Sequence, residues 1–199
     1  FLIILSFISN YGNRIIKSKL LKYLSIFSIS GYALPGVILA VALITFFAWI
    51  SETLELIFGI SNIKSIFIGS IFGLVLAYFV RFYSLAYNGI KSGYLKINQS
   101  IDESSYLLGH SKLKTFTLVH LPHLKNTLFL VGILLSVEII RELPLTLILR
   151  PYNFETFATL AYNYASQDLL EAAAVPSLFL ILWASFFIFI TSKYILSEK

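Results

Sequence analysis

Apolar residues in this chain gather into long runs separated by shorter charged stretches, a pattern that reads as several bilayer spans rather than one buried core. A helix rising 1.5 Å per residue needs about 20 apolar residues to cross the hydrocarbon layer. Four runs qualify: Gly31 to Ile50, Ile66 to Tyr87, Leu128 to Leu149 with charges inside it, and Ala172 to Tyr194. Phe1 to Ser9 reads as the tail of a fifth, truncated span. The chain opens inside an apolar run with no charged n-region and no methionine, which predicts a fragment whose true start lies upstream rather than a signal peptide. The expected fold is an all-α polytopic transmembrane bundle, one domain over residues 1–199.

The polar connections alternate in sign. Arg14, Lys17, Lys19 and Lys22 precede the first full run, and Glu52, Glu55 and a single Lys64 follow it. A long polar segment, residues 88–126, carries Lys91, Lys96, Lys112, Lys114 and Lys125; Glu155, Asp168 and Glu171 come next, and Lys193 and Lys199 close the chain. Lysine and arginine are retained on the cytoplasmic side, so the basic stretches are expected inside and the acidic ones outside. Arg150 dissents.

Composition sharpens this reading. Hydrophobic residues make up 58% of the chain and charged residues 13%, against roughly a quarter charged in soluble domains, which argues against a water-soluble fold. The net charge of +5 is then a matter of membrane orientation, not of nucleic acid. With no cysteine there is no disulfide, thiolate zinc site or thiol nucleophile.

Within the long polar segment, Ser100-Ile-Asp-Glu103 matches a capping box, with Asp102 and Glu103 in the first turn of the helix it predicts. Gly109 is placed to end that helix in a left-handed conformation. Ser111 is placed to cap a second short helix carrying Leu113, Phe116 and Val119, stopping before Pro122. Such a pair of helices either lies on lipid headgroups or docks a cytoplasmic partner.

Glu103-Ser-Ser-Tyr-Leu-Leu-Gly109, followed by His120-Leu-Pro122, resembles the EAA loop of ATP-binding cassette (ABC) importer permeases, with Ser104 and Ser105 in place of the two alanines. Gly31-Tyr-Ala-Leu-Pro-Gly36, Tyr78-Phe-Val-Arg81-Phe, Arg141-Glu142-Leu-Pro144 through Arg150-Pro-Tyr-Asn153-Phe, and Tyr164-Ala-Ser leading to Glu171-Ala-Ala are similar to the iron(III) branch of that family. The resemblance covers about residues 30 to 195. It implies the type I permease fold, in the bacterial inner membrane, with most of the second of two homologous halves present. It also implies a coupling helix docked on an ATPase dimer through Ser100, Asp102, Glu103, Ser104, Ser105, Gly109, Leu121 and Pro122. A periplasmic binding protein and the other permease half, or a second permease copy, are the remaining protein partners it implies.

Charges inside the spans are costly unless paired or wetted. Arg81, near an inner span end, is expected to snorkel to the interface. Glu138, Arg141 and Glu142 share one helix face at i, i+3 and i+4, where a Glu–Arg pair can neutralise itself. They belong either to a bundle interior or, if the helix ends near Ile140, to an outer vestibule; Pro144 supports a break in either case. By resemblance these four residues face the translocation path or its gate. Pro35-Gly36 is either a helix start or a gating hinge.

His120 and His123 sit close together, but with no cysteine nearby and a cytoplasmic setting they are expected to be solvated or to face the ATPase rather than bind metal. No Gly-x-x-x-x-Gly-Lys-Ser/Thr loop occurs, so ATP is expected on a separate subunit, with no cofactor and no catalytic residue in this chain. Competing readings keep the architecture with thiamine, sulfate or polyamine as cargo, or make the chain an ion-gradient transporter or an intramembrane metalloprotease. The absence of His-Glu-x-x-His opposes the last, and a gradient-driven transporter leaves the long capped segment without a role.

Overall fold

The computed structural model describes residues 1–16, 23, 30–59 and 63–197; Lys17, Lys19, Lys22 and Lys199 lie outside the described residues. All regular elements among them are helical: α1 (Leu2–Ile15), α2 (Gly36–Phe58), α3 (Ile63–Phe67), α4 (Ile71–Tyr94), α5 (Gln99–Leu107), α6 (Lys112–Thr115), α7 (Leu121–Ile140), α8 (Pro144–Leu149), α9 (Phe157–Ser166) and α10 (Leu170–Ser197). A 3-10 turn at Ser30–Tyr32 precedes α2, and a π-helical turn at Phe116–His120 joins α6 to α7.

Among the described residues, four helical stretches are long and apolar enough to cross a membrane: Gly36–Phe58, Ile71–Tyr94, Lys112–Ile140 and Leu170–Lys193. The chain is thus an all-α polytopic bundle, with boundaries that differ from the hydropathy reading for local reasons. Pro35 is the residue that opens α2, so Pro35-Gly36 is a helix start; α2 then continues past Glu52 and Glu55 until Gly59, at φ 64°, ends it.

The helix beginning at Lys112 does not stop before Pro122 but runs on to Ile140. The π turn explains how. The Leu121 amide donates to Phe116 O, five residues back, and this widened turn shifts the hydrogen-bond register just where Pro122 offers no N–H. The same span ends at Ile140 rather than Leu149. Residues 141–143 break it, and Pro144 starts α8 as a separate short helix, where a missing donor costs nothing.

The chain forms two compact units, Phe1–Ser30 with Phe82–Leu135, and Gly31–Arg81 with Ser136–Lys199. In the first, Phe7, Tyr11, Tyr94, Phe116 and His120 form a ring cluster, with Phe7 and Phe116 centroids 4.5 Å apart and Tyr11 and His120 4.9 Å apart. Small residues let helices approach: a Cβ on Gly93 would lie 2.8 Å from Leu124 and Thr127, and one on Gly89 2.6 Å from Val131.

The second unit packs Leu39, Ala40, Leu43 and Phe47 of α2 against Leu74 and Ala77 of α4 and Leu145 and Leu149 of α8. Its α10 is apolar on all sides, and Leu178, Ile181, Leu182, Phe186 and Phe189 are each more than half exposed; such a helix is stable only in a non-aqueous surround.

Gly73, buried at the start of α4, would place a Cβ 1.7 Å from Phe67 O. Because the obstacle is backbone rather than a mobile side chain, Gly73→Ala is expected to destabilise by about 2 kcal/mol or more. A thermal melt of the detergent-solubilised protein checks this; an unchanged midpoint contradicts the packing described.

Candidate functional site

The polar segment after α4 folds into a platform that begins with two capped short helices. Asn98, not Ser100, caps α5: its side chain accepts from the Ser100 amide at 3.2 Å. Gly109 then turns the chain at φ 79°, a conformation that costs a side-chain-bearing residue roughly 1–2 kcal/mol. Ser111 caps α6 by accepting from the Lys114 amide at 3.3 Å.

The predicted docking residues separate into two sets. Ser100, Glu103, Ser104, Gly109, Leu121 and Pro122 are exposed, whereas Asp102 and Ser105 turn inward. Ser105 is buried, with its Oγ 2.9 Å from Thr115 Oγ1 and 3.3 Å from His110 Nδ1, so it fastens α5 to α6. Its small size therefore serves internal packing rather than a contact face for another protein.

Asp102 is a hub. One carboxylate oxygen lies 2.6 Å from Arg14 Nε, the other 2.6 Å from His120 Nε2. Arg14 also donates to Asn98 O at 2.9 Å and Tyr94 O at 3.3 Å. His120 is fully buried, which corrects the solvated position expected for it, and its Nδ1 has no hydrogen-bond partner. The arrangement fits a neutral imidazole with the proton on Nε2, since a second N–H would be sealed away unpaired. His123 is exposed, its Nδ1 2.8 Å from Val119 O. No group of three or more potential metal ligands occurs among the described residues.

Outward, the same platform carries Leu107, Leu108 and Leu113, exposed to 89%, 77% and 73%. A recess of about 250 Å³ is lined by Arg14, Ile15, Gln99, Asp102, Glu103, Tyr106 and Lys112.

In the second unit, Arg81 does not snorkel. Its Nε lies 2.8 Å from Glu142 Oε2, with the two side chains only 15% and 7% exposed. Arg81 also donates to Leu34 O at 3.2 Å and stands 5.9 Å from the Tyr32 ring. Glu142 Oε1 accepts the Leu145 amide at 3.1 Å and so caps α8. Thr146 Oγ1 donates to Glu142 O at 2.8 Å, and the Tyr78 hydroxyl lies 2.5 Å from that same Oγ1. Gly36 makes room for the pair: a Cβ there would meet Glu142 Oε1 at 3.1 Å and Arg81 Nη1 at 3.3 Å.

Glu138 pairs with Arg141, whose Nε lies 3.2 Å from it and whose side chain is 63% exposed. Pro144 is exposed at the start of α8. Of the three charged residues placed on one helix face, Glu138 and Arg141 thus pair with each other, and Glu142, beyond the helix end at Ile140, takes Arg81 instead.

The sequence matches the family described as "Binding-protein-dependent transport system inner membrane component" over residues 3–197. The chain belongs to that family. It is also similar to the Fe(3+)-transport system permease protein FbpB 2 of Haemophilus influenzae, at 22% identity over 163 residues; the match covers 82% of this chain and 30% of that protein. The chain thus spans about a third of the length of the curated relative it matches.

Family membership agrees with the resemblance drawn from the loop and its flanking motifs, and with four apolar spans it makes the chain a multi-pass protein of the bacterial inner membrane. In this inner membrane component Arg150, which dissented from the charge alternation, is neutralised locally by Glu155. Burial pushes the Glu155 carboxyl up, but hydrogen bonds from Thr159 at 2.6 Å and from Arg150 outweigh it and hold the group below the usual carboxylate range.

Sequence reasoning missed two partners. The sequence shows Arg14 as part of a basic connection, and Arg81 as an interfacial charge within a family-like motif, but gives neither its ion-pair partner. Both sit at the ends of apolar runs, where a single charge already required either snorkelling or a partner.

Proposed function

We propose that this chain is part of the permease of an ABC importer, that residues 100–122 dock a cytoplasmic ATPase dimer, and that the cargo is iron(III) handed over by a periplasmic binding protein. The observation that carries the docking reading is the set of exposed leucines, Leu107, Leu108 and Leu113, on a segment whose short helices are capped by Asn98 and Ser111 and turned by Gly109. An apolar patch rimmed by polar groups is what a partner buries. ATP is hydrolysed by the partner, and this chain contributes neither catalytic group nor cofactor.

Closure of the ATPase dimer then moves the platform as a rigid body and, through the attached helices, the spans. Iron as cargo is supported by the similarity to the Fe(3+)-transport system permease of Haemophilus influenzae and by the motifs that resemble that branch. A second permease half completes the pathway.

Gly109→Val strains the turn and Glu103→Lys reverses an exposed charge, so each is expected to lower transport by roughly tenfold while membrane insertion is unchanged. Transport assays paired with co-purification of the ATPase check this. If both variants keep normal transport and ATPase association, the docking surface is elsewhere. For cargo, iron(III)-loaded binding protein is expected to stimulate ATP hydrolysis in the reconstituted transporter; stimulation only by another solute overturns the iron assignment.

A further inference from the structure

The first unit contains a feature that docking alone does not require. Asp102 lies on the inner side of α5, with each of its oxygens engaged by a different helix or turn: Arg14 from the last turn of α1, and His120 from the π turn that opens α7. Two further contacts reinforce the α1 side. The Tyr11 hydroxyl donates to Lys112 O at 2.5 Å, and Asn10 Nδ2 donates to Tyr87 O at 3.1 Å.

We infer that Arg14, Asp102 and His120 form a clamp that makes α1 and the start of α7 move as one body with α5, so that force applied at the docking surface reaches both helices through Asp102. This rests on the docking reading above. The three are positioning residues; none is placed to touch cargo or nucleotide.

The chemistry explains why Asp is needed there. Arg14 and the Nε2–H of His120 are both donors, and a carboxylate can accept from both at once. Asparagine cannot: its oxygen satisfies one partner and its NH₂ faces the other donor. His120 cannot relieve this by changing tautomer without burying an unpaired Nδ1–H. The ring cluster of Phe7, Tyr11, Tyr94 and Phe116 around His120 leaves no room for the imidazole to swing away.

The test uses the intact transporter reconstituted in liposomes, read as solute transported per ATP hydrolysed and as ATPase retained on purification. Asp102→Asn is expected to keep the ATPase bound yet lower transport per ATP about tenfold, the scale of one charged hydrogen bond. A second measurement leaves the clamp intact. Ile15→Cys with Gln99→Cys, two residues lining the same recess, are joined by a short bismaleimide in a chain with no cysteine of its own. Because α1 and α5 move together, the link is expected to leave transport unchanged.

A link that stops transport, or an Asp102→Asn protein that assembles and couples normally, overturns the clamp. Loss of the docking reading looks different: the wild-type loop then fails to retain the ATPase at all.

Discussion

Arg81→Ala is expected to cost about 3–5 kcal/mol, enough to prevent accumulation of the folded transporter. Truncation leaves the Glu142 carboxylate in a setting where it is 7% exposed, with its strongest partner gone. The damage should spread, because Glu142 also caps α8 through the Leu145 amide. Glu142→Gln is expected to be milder, since Gln keeps an oxygen for that amide. Replacing the two together, Arg81→Met with Glu142→Leu, should recover much of the stability, because an ion pair is costly mainly when one member is left alone. Thermal melts of the four proteins in one detergent check the order; equal midpoints for Arg81→Ala and the wild type contradict the ion pair.

The second large effect is on assembly. Leu107→Asp with Leu108→Asp is expected to release the ATPase while leaving the permease inserted and folded. Both side chains are almost free of internal contact, at 89% and 77% exposed, so the substitutions remove little from the permease itself. Burying a leucine contributes about 1.5–3 kcal/mol, so each position should weaken binding by roughly tenfold or more. A titration of purified ATPase onto the detergent-solubilised transporter measures this. Unchanged affinity together with an unchanged melting point removes the leucine face from the interface.

The outline of the fold was legible from hydropathy because a membrane span must satisfy its backbone internally and cover itself with apolar groups. Four spans and the helical platform follow from that rule and from a few local signals such as Gly109 and Ser111. What escaped was set by tertiary partners. Hydropathy sees Leu128 to Leu149 as one run, yet Glu142 binds Arg81 and turns the chain, so the helix ends at Ile140. Pro122 reads as a stop, yet the π turn before it absorbs the missing donor.

The residues proposed to dock the ATPase were legible as a segment but not as a surface. A short motif fixes the spacing of its residues around a helix but not which face the rest of the fold covers. Arg14 and His120 draw Asp102 inward and Thr115 holds Ser105, which leaves Leu107 and Leu108 exposed. His120 looked solvated because it lies in a polar stretch; its burial depends on Arg14 and Asp102, which are 88 residues apart in sequence.

The central claim is that the platform after α4 faces the cytoplasm and is covered by the ATPase. A single cysteine at Leu108, challenged with a membrane-impermeant maleimide, tests it most directly. The account predicts no labelling from the periplasmic side, ready labelling in inverted vesicles stripped of the ATPase, and protection when the ATPase is restored. Labelling from the periplasmic side, or labelling in inverted vesicles that the bound ATPase leaves undiminished, contradicts it.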